Sequence, residues 1–218
     1  LFTLGITALW TITKSVHGSS LPITAFALTG YSSVLLWRNM PGRCIGAVRP
    51  NLSLMYHRQV KVIDVLAARL ILEAMGATIS FVILSIVFIS LGMLDPPEDI
   101  FQVIGGWLTL AWFGASLALF LAGLAEESEA IDKLWHPTSY LLFPLSGAAF
   151  LVDILPPKAQ NLVLYLPMVN ATEFLREGYF GSAFHAHYDM MYTLEVCGML
   201  TLLALAKIRK ISREVVPE

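Results

Sequence analysis

The stretch AMGATISFVILSIVFISLGML, residues 74–94, carries no charge over 21 residues, and IFQVIGGWLTLAWFGASLALFLAGLA, residues 100–125, carries none over 26. Runs of this kind constrain the fold before anything else does. A helix rises about 1.5 Å per residue, so about 20 apolar residues cross the roughly 30 Å hydrocarbon core of a bilayer. Composition agrees: 56% of the 218 residues are hydrophobic and 14% are charged, whereas ordinary globular chains are about a quarter charged. Too little polar surface is available to cover a water-soluble body of this size. The sequence predicts one all-α integral membrane domain over residues 1–218.

Six transmembrane helices are expected. Residues 1–13 read as the tail of a truncated first span, because the chain starts at Leu1 and is already apolar there. Residues 21–37 form a second, short span, 70–94 a third and 100–125 a fourth. Residues 134–155 form the fifth, where Pro137 and Pro144 predict kinks, and 190–206 the sixth. Eleven of the 14 Lys and Arg residues fall on one side of this arrangement: Arg38, Arg43, Arg49, Arg58, Lys61, Arg69, Lys133, Lys207, Arg209, Lys210 and Arg213. Lys14, Lys158 and Arg176 fall on the other. Basic residues accumulate in cytoplasmic loops, so both termini and the 38–61 loop are expected in the cytoplasm.

The external segment of about 156–181 is too apolar for a plain solvent loop and too interrupted by Pro167 and Gly178 to span. Two readings are open: an amphipathic interfacial loop, or short re-entrant helices lining a pore. Irregular backbone at membrane depth is tolerated only where protein or a water-filled cavity satisfies it.

The motifs of soluble chemistry are missing. There is no G-x-x-x-x-G-K-[ST] loop to cradle ATP phosphates, no H-E-x-x-H and no G-x-S-x-G. His185 and His187 beside Asp189 are a weak metal signal in a polar loop, and no metal site or catalytic residue is assigned. Cys44 and Cys197 lie in different segments and predict no disulfide. Charges within spans are scarce and therefore informative. Glu195 lies in the sixth span, either packed towards other helices or lining a polar conduit. Arg69 and Glu73 stand four apart at the foot of the third span, with Asp64 about a turn and a half earlier. They read as local charge pairing, or as a lever that moves the preceding segment and the span together.

That preceding segment, NLSLMYHRQVKVID (51–64), is basic and aromatic. At helical spacing Leu52, Met55, Tyr56 and Gln59 share one face, and Ser53, His57, Lys61 and Asp64 another. An amphipathic helix lying along the membrane results, resting either on anionic lipid or in a protein cleft. The whole pattern resembles the membrane permease of a capsular polysaccharide ABC exporter, of the ABC-2 class. The likeness covers essentially the full chain, and its most specific pieces are HRQVKVID (57–64) and LPMVNATEFLREGYFG (166–181). The second is similar to an N-P-x-x-x-x-x-E-x-x-R-x-G-x-F-G segment before the last span, although Val169, not proline, precedes Asn170 here.

The resemblance implies a bacterial inner-membrane location and two copies of this chain above two ATP-binding cassette subunits, which bind the ATP and Mg that this chain does not. It implies a coupling helix over about 51–61, with Asn51, Leu52, Met55, Tyr56, His57, Arg58, Gln59 and Lys61 in an ATPase groove, and a conduit for lipid-linked polysaccharide. It also implies an outer gate holding Asn170, Glu173, Arg176, Tyr179 and Phe180, with Glu173 and Arg176 paired within or across protomers. A periplasmic co-polymerase and outer-membrane export proteins would continue the route; nucleic acid has no place in it. Tyr31, Trp37, Trp107, Trp112 and Tyr140 offer sugar-facing rings, or serve as interfacial anchors or core. O-antigen, teichoic acid or a drug are alternative substrates of the same permease class. A lipid- or glycan-modifying enzyme would want a polar cluster, for which Asp153, His185 and His187 are the candidates. An ion channel would want a repeated filter, and none is seen. Replacing Tyr56 or Arg58 with alanine is expected to lower the partner's transport-coupled ATPase while the chain still folds; unchanged export in both variants would remove the docking role.

Overall fold

The computed structural model describes residues 23–55 and 60–215, and every regular element among them is helical. The helices are α1 (Ile23–Cys44), the single turn α2 (Leu52–Met55), α3 (Val62–Ser90), α4 (Ile100–Glu127), α5 (Ala130–Leu145), α6 (Pro157–Val163), α7 (Pro167–Phe180) and α8 (Met190–Val215). Among the described residues α3, α4 and α8 are long and apolar enough to cross a membrane. The expected first span lies outside the described residues.

The bundle is organised around α4, which packs against α1, α7 and α8. Its small residues set these distances. A Cβ at Gly106 would lie 2.7 Å from Leu175 Cβ of α7, one at Gly114 2.7 Å from the Trp37 backbone of α1, and one at Gly123 2.9 Å from Lys207 Cβ of α8. Within a membrane, helices gain little from apolar burial against each other, so close backbone approach at small residues is what holds them. Trp107 fastens α3 from the other side. Its ring stacks on Phe81 at 4.6 Å and its indole N–H donates to Thr78 Oγ1 at 2.9 Å.

Burial divides the spans. Only 11% of the most apolar window of α3 is buried, against 50% for α4. Ile71, Leu72, Ile79, Ile83 and Ile86 all point outward, which suits a helix facing acyl chains or another chain. The opposite holds for α1. It is mixed in composition, yet Thr29, Ser32, Ser33, Trp37 and Met40 are buried. Two of its hydroxyls bond back to the carbonyl one turn earlier, Ser33 Oγ to Thr29 O at 2.6 Å and Thr29 Oγ1 to Ala25 O at 2.8 Å, so these two need no outside partner. The helix also runs seven residues past the expected boundary at 37. Arg38 is tolerated there because its guanidinium lies over the Tyr140 and Phe143 rings of α5, 5.4 and 5.8 Å from their centroids.

The expected fifth span is not one helix. α5 ends at Leu145, giving about 24 Å of length. Residues 146–151 are irregular, and a 3-10 turn, Val152–Ile154, follows. Pro144 sits at the last turn and Gly147 takes φ +78°, a conformation that glycine adopts without strain. Two short helices come next, each with proline in its first turn. α7 runs antiparallel to α4: its Gly178 abuts Gln102 and Asp99 near the start of α4, its Leu175 abuts Gly106, and its Pro167 end comes level with Phe113 and Leu117 at mid-helix.

Alanine at Gly106 should push α7 off α4 and destabilise the purified protein by about 1–3 kcal/mol, as overpacking of close contacts does. Alanine at Gly76, which meets nothing within 4 Å, should be neutral or mildly stabilising through helix propensity. Thermal unfolding in detergent compares the two variants.

Candidate functional site

The irregular stretch after α5 exposes the problem that the site solves. Residues 146–151 leave backbone carbonyls without helical partners inside the bundle. Arg176 of α7 reaches them: Nη1 donates to Gly147 O at 2.6 Å and to Phe150 O at 3.1 Å, and Nη2 donates to Ala148 O at 3.1 Å. The guanidinium is fully buried, and its Cζ lies 4.0 Å from the centroid of the Phe26 ring on α1. Gly30, one turn along α1, leaves the space: a Cβ there would stand 2.5 Å from Arg176 Nη2 and 2.6 Å from Ala148 O.

Glu173, one turn before Arg176, is equally buried. Its carboxylate does not bind the guanidinium directly. It accepts instead from the backbone N–H of His187 at 3.3 Å and from that of Val152. Burial pushes this carboxyl above the usual range, opposed by the nearby Arg176 charge and the two amides. Within one chain the two side chains of the expected Glu173–Arg176 pair are hydrogen-bonded to main chain and not to each other.

The other expected gate residues share α7 and are buried, but each is tied to a different neighbour. Asn170 Nδ2 donates to Leu164 O and Leu166 O, closing the turn before α7, and its Oδ1 accepts from Asp189 N at 2.7 Å. Tyr179 donates to Asp95 O at 3.1 Å, and Phe180 packs between Tyr179 and Phe184. Beside them lies an open cleft of about 910 Å³ whose floor is Glu177, which accepts from the Gln102 amide and the Tyr188 hydroxyl. Sequence reasoning did not single out Phe26, Gly30, Gln102, Glu177 or Tyr188. Only a glycine in the TGYSS run (29–33) and isolated polar residues at span ends hinted at them.

At the basic end the expected lever is rearranged. Glu73 pairs not with Arg69 but with Arg43 at the end of α1, Oε1 to Nε 2.7 Å, and Arg69 Nη1 reaches Arg43 O at 3.4 Å. Asp64 accepts from the Lys61 backbone N–H at 2.8 Å and caps α3. The result binds α1 to α3. In the expected coupling segment Asn51 donates to Ala47 O at 2.8 Å. Leu52 is 45% exposed and Met55 is buried. The helical turn does not reach Lys61, which is extended and opens α3. Tyr56, His57, Arg58 and Gln59 lie outside the described residues.

The conduit candidates separate as well. Trp37 and Trp107 are core. Trp37 packs on Phe113 at 5.8 Å and borders an apolar pocket of about 320 Å³ beneath the start of α7, with Trp135 and Leu142 opposite. Tyr31 meets Phe143 edge-on at 6.5 Å. Tyr140 is 69% exposed. Trp112 is partly exposed and donates to Thr201 Oγ1 of α8 at 2.9 Å. Glu195 lies on the exposed side of α8. His187 pairs with Asp153 at 3.0 Å and His185 is exposed.

No protein-family model matches the chain. It is 39% identical over all 218 residues to the capsule polysaccharide export inner-membrane protein CtrC of Neisseria meningitidis serogroup B, covering 82% of that protein. It is 34% identical over the same length to the capsule polysaccharide export inner-membrane protein BexB of Haemophilus influenzae, again covering 82%. More distantly, 83% of the chain is 23% identical to the polysialic acid transport protein KpsM of Escherichia coli, covering 71% of it.

A double-mutant cycle on Arg43 and Glu73 should return about 0.5 kcal/mol of coupling, because Arg43 is well exposed and solvent screens the pair. The same cycle on Arg69 and Glu73 should return close to zero. The reverse ranking would restore the pairing expected from the sequence.

Proposed function

The chain belongs to the family of capsule polysaccharide export inner-membrane proteins, and from that premise we propose that it is the membrane-spanning subunit through which a capsular polysaccharide leaves the cell. It is a transport protein, not an enzyme. The observation that carries this reading is similarity to such proteins over the whole length of the chain, 218 of 218 residues.

The finer reading is an ABC-2 permease with six spans and cytoplasmic termini. ATP and Mg belong to two separate cassette subunits, which press on the basic end of a pair of permeases. That end offers them a stiff target. Arg49 lies near Glu126 and Glu129 at the α4–α5 turn, and Lys207 and Lys210 of α8 both bond Glu127 of α4. Motion of residues 51–61 is passed to α3 and, through Arg43 and Glu73, to α1. α6 and α7 form a re-entrant outer gate. The reading is supported by the shortness of α7, about 21 Å for its 14 residues, and by its beginning level with the middle of α4. A lipid-linked polymer moves between the two copies, towards periplasmic and outer-membrane partners.

Deleting the gene should abolish surface polysaccharide, and the wild-type chain should restore it. The purified chain alone should hydrolyse no ATP, and it should carry an ATP-hydrolysing subunit with it when isolated from its own membrane. Retained surface polysaccharide in the deletion strain would overturn the export reading.

A further inference from the structure

α1 is a single helix of 22 residues, about 33 Å long. One end is tied to α3 by Arg43 and Glu73, and the other is locked to Arg176 through Phe26 and Gly30. α5 runs from the basic end into the irregular stretch along the chain, and α1 joins the same two regions through side-chain contacts at both of its ends. We propose that α1 is the connecting rod of the transporter, and that Arg176 is its outer pin, a positioning residue holding α1, residues 146–151 and α7 together so that movement at the basic end reaches the gate. The proposal rests on the export reading above.

The chemistry of the pin is specific. Three carbonyls from residues 147, 148 and 150 converge on one guanidinium. A planar fork with five donors can serve three acceptors and still lay a face on Phe26; a lysine ammonium is a compact point charge and cannot do both. The carbonyls have no water to turn to at that depth, so without Arg176 the stretch must rearrange to find partners. Gly30 is the complementary half. Alanine would normally favour a helix interior, yet here its methyl would occupy the space of Nη2 and Ala148 O. A charged group wholly buried in the bundle, with all its hydrogen bonds to main chain and Glu173 as the nearby opposite charge, is an expensive feature without a task.

The test uses the assembled exporter with Arg176→Leu, Arg176→Lys and Gly30→Ala, and with Gly76→Ala as control. Three quantities are read: amide hydrogen exchange over residues 146–152 and over α4, ATPase turnover, and surface polysaccharide. Arg176→Leu should speed exchange over 146–152 by about tenfold or more, the effect of losing one charge-assisted hydrogen bond. Protection in α4 should be unchanged. ATPase should stay within about twofold while export falls by about tenfold or more, the split that marks lost coupling and not lost fold. Arg176→Lys should fall between wild type and Arg176→Leu, and Gly30→Ala should reproduce the defect with the arginine in place. Unchanged exchange over 146–152 would overturn the pin. So would exchange rising equally in α4, ATPase falling in step with export, or failure of all three variants to accumulate, since each makes Arg176 a folding residue only. Absence of surface polysaccharide with the wild-type chain itself would instead remove the export reading, whatever the exchange shows.

Discussion

A chain that breaks a helix inside an apolar bundle must find partners for the freed carbonyls, and here a single guanidinium supplies them. Three charge-assisted hydrogen bonds run from Arg176 to residues 147, 148 and 150, each of a kind that contributes about 1.5–3 kcal/mol. Removing the donor would leave several buried acceptors unsatisfied at once, which is costlier than the loss of the bonds themselves. The irregular stretch after α5, α7 and the Gly30 region of α1 all meet at this one arrangement. Glu173 does the complementary work for the amides of Val152 and His187. Two charges that a sequence reader pairs with each other are thus each hydrogen-bonded to main chain.

Around this knot the helices are held by proximity more than by bulk. α4 offers a glycine to each of its three main neighbours, and large side chains or backbone fill the gaps. Thr29 and Ser33 of α1 are absorbed by bonds to their own helix. The helix with the most apolar window, α3, is left mostly outside, whereas α1, mixed in composition, is largely buried. In a soluble protein the order would be reversed; in oil, packing density and polar satisfaction decide the interior.

The export function and this architecture fit each other in a simple way. In the proposed mechanism a transporter driven from one end needs elements stiff enough to carry displacement and a break that can yield; α1 and α4 are the candidates for the first, and the irregular stretch after α5 for the second. Of the aromatic rings proposed to line the conduit, Trp37 and Trp107 are core, whereas Tyr140 and Trp112 are exposed.

Much of this was legible beforehand. Uncharged runs at 74–94 and 100–125 dictated apolar helices, because length and hydropathy are local properties. The motif-bearing segment 166–181 marked the family, and the five residues singled out there fall on one buried helix. What could not be read was partnership. Spacing of four made Arg69 and Glu73 look like a pair, but Arg43, thirty positions earlier, comes closer once α1 folds against α3. The fifth span looked continuous because apolar composition does not reveal where carbonyls lose their helical partners. The sequence by itself determined that the chain lives in a membrane, where its long apolar helices fall and which family it joins, since all three are written in composition and local order. Only the tertiary structure decided which buried charge meets which backbone group, because that depends on contacts between residues far apart in the chain, and no local pattern records them.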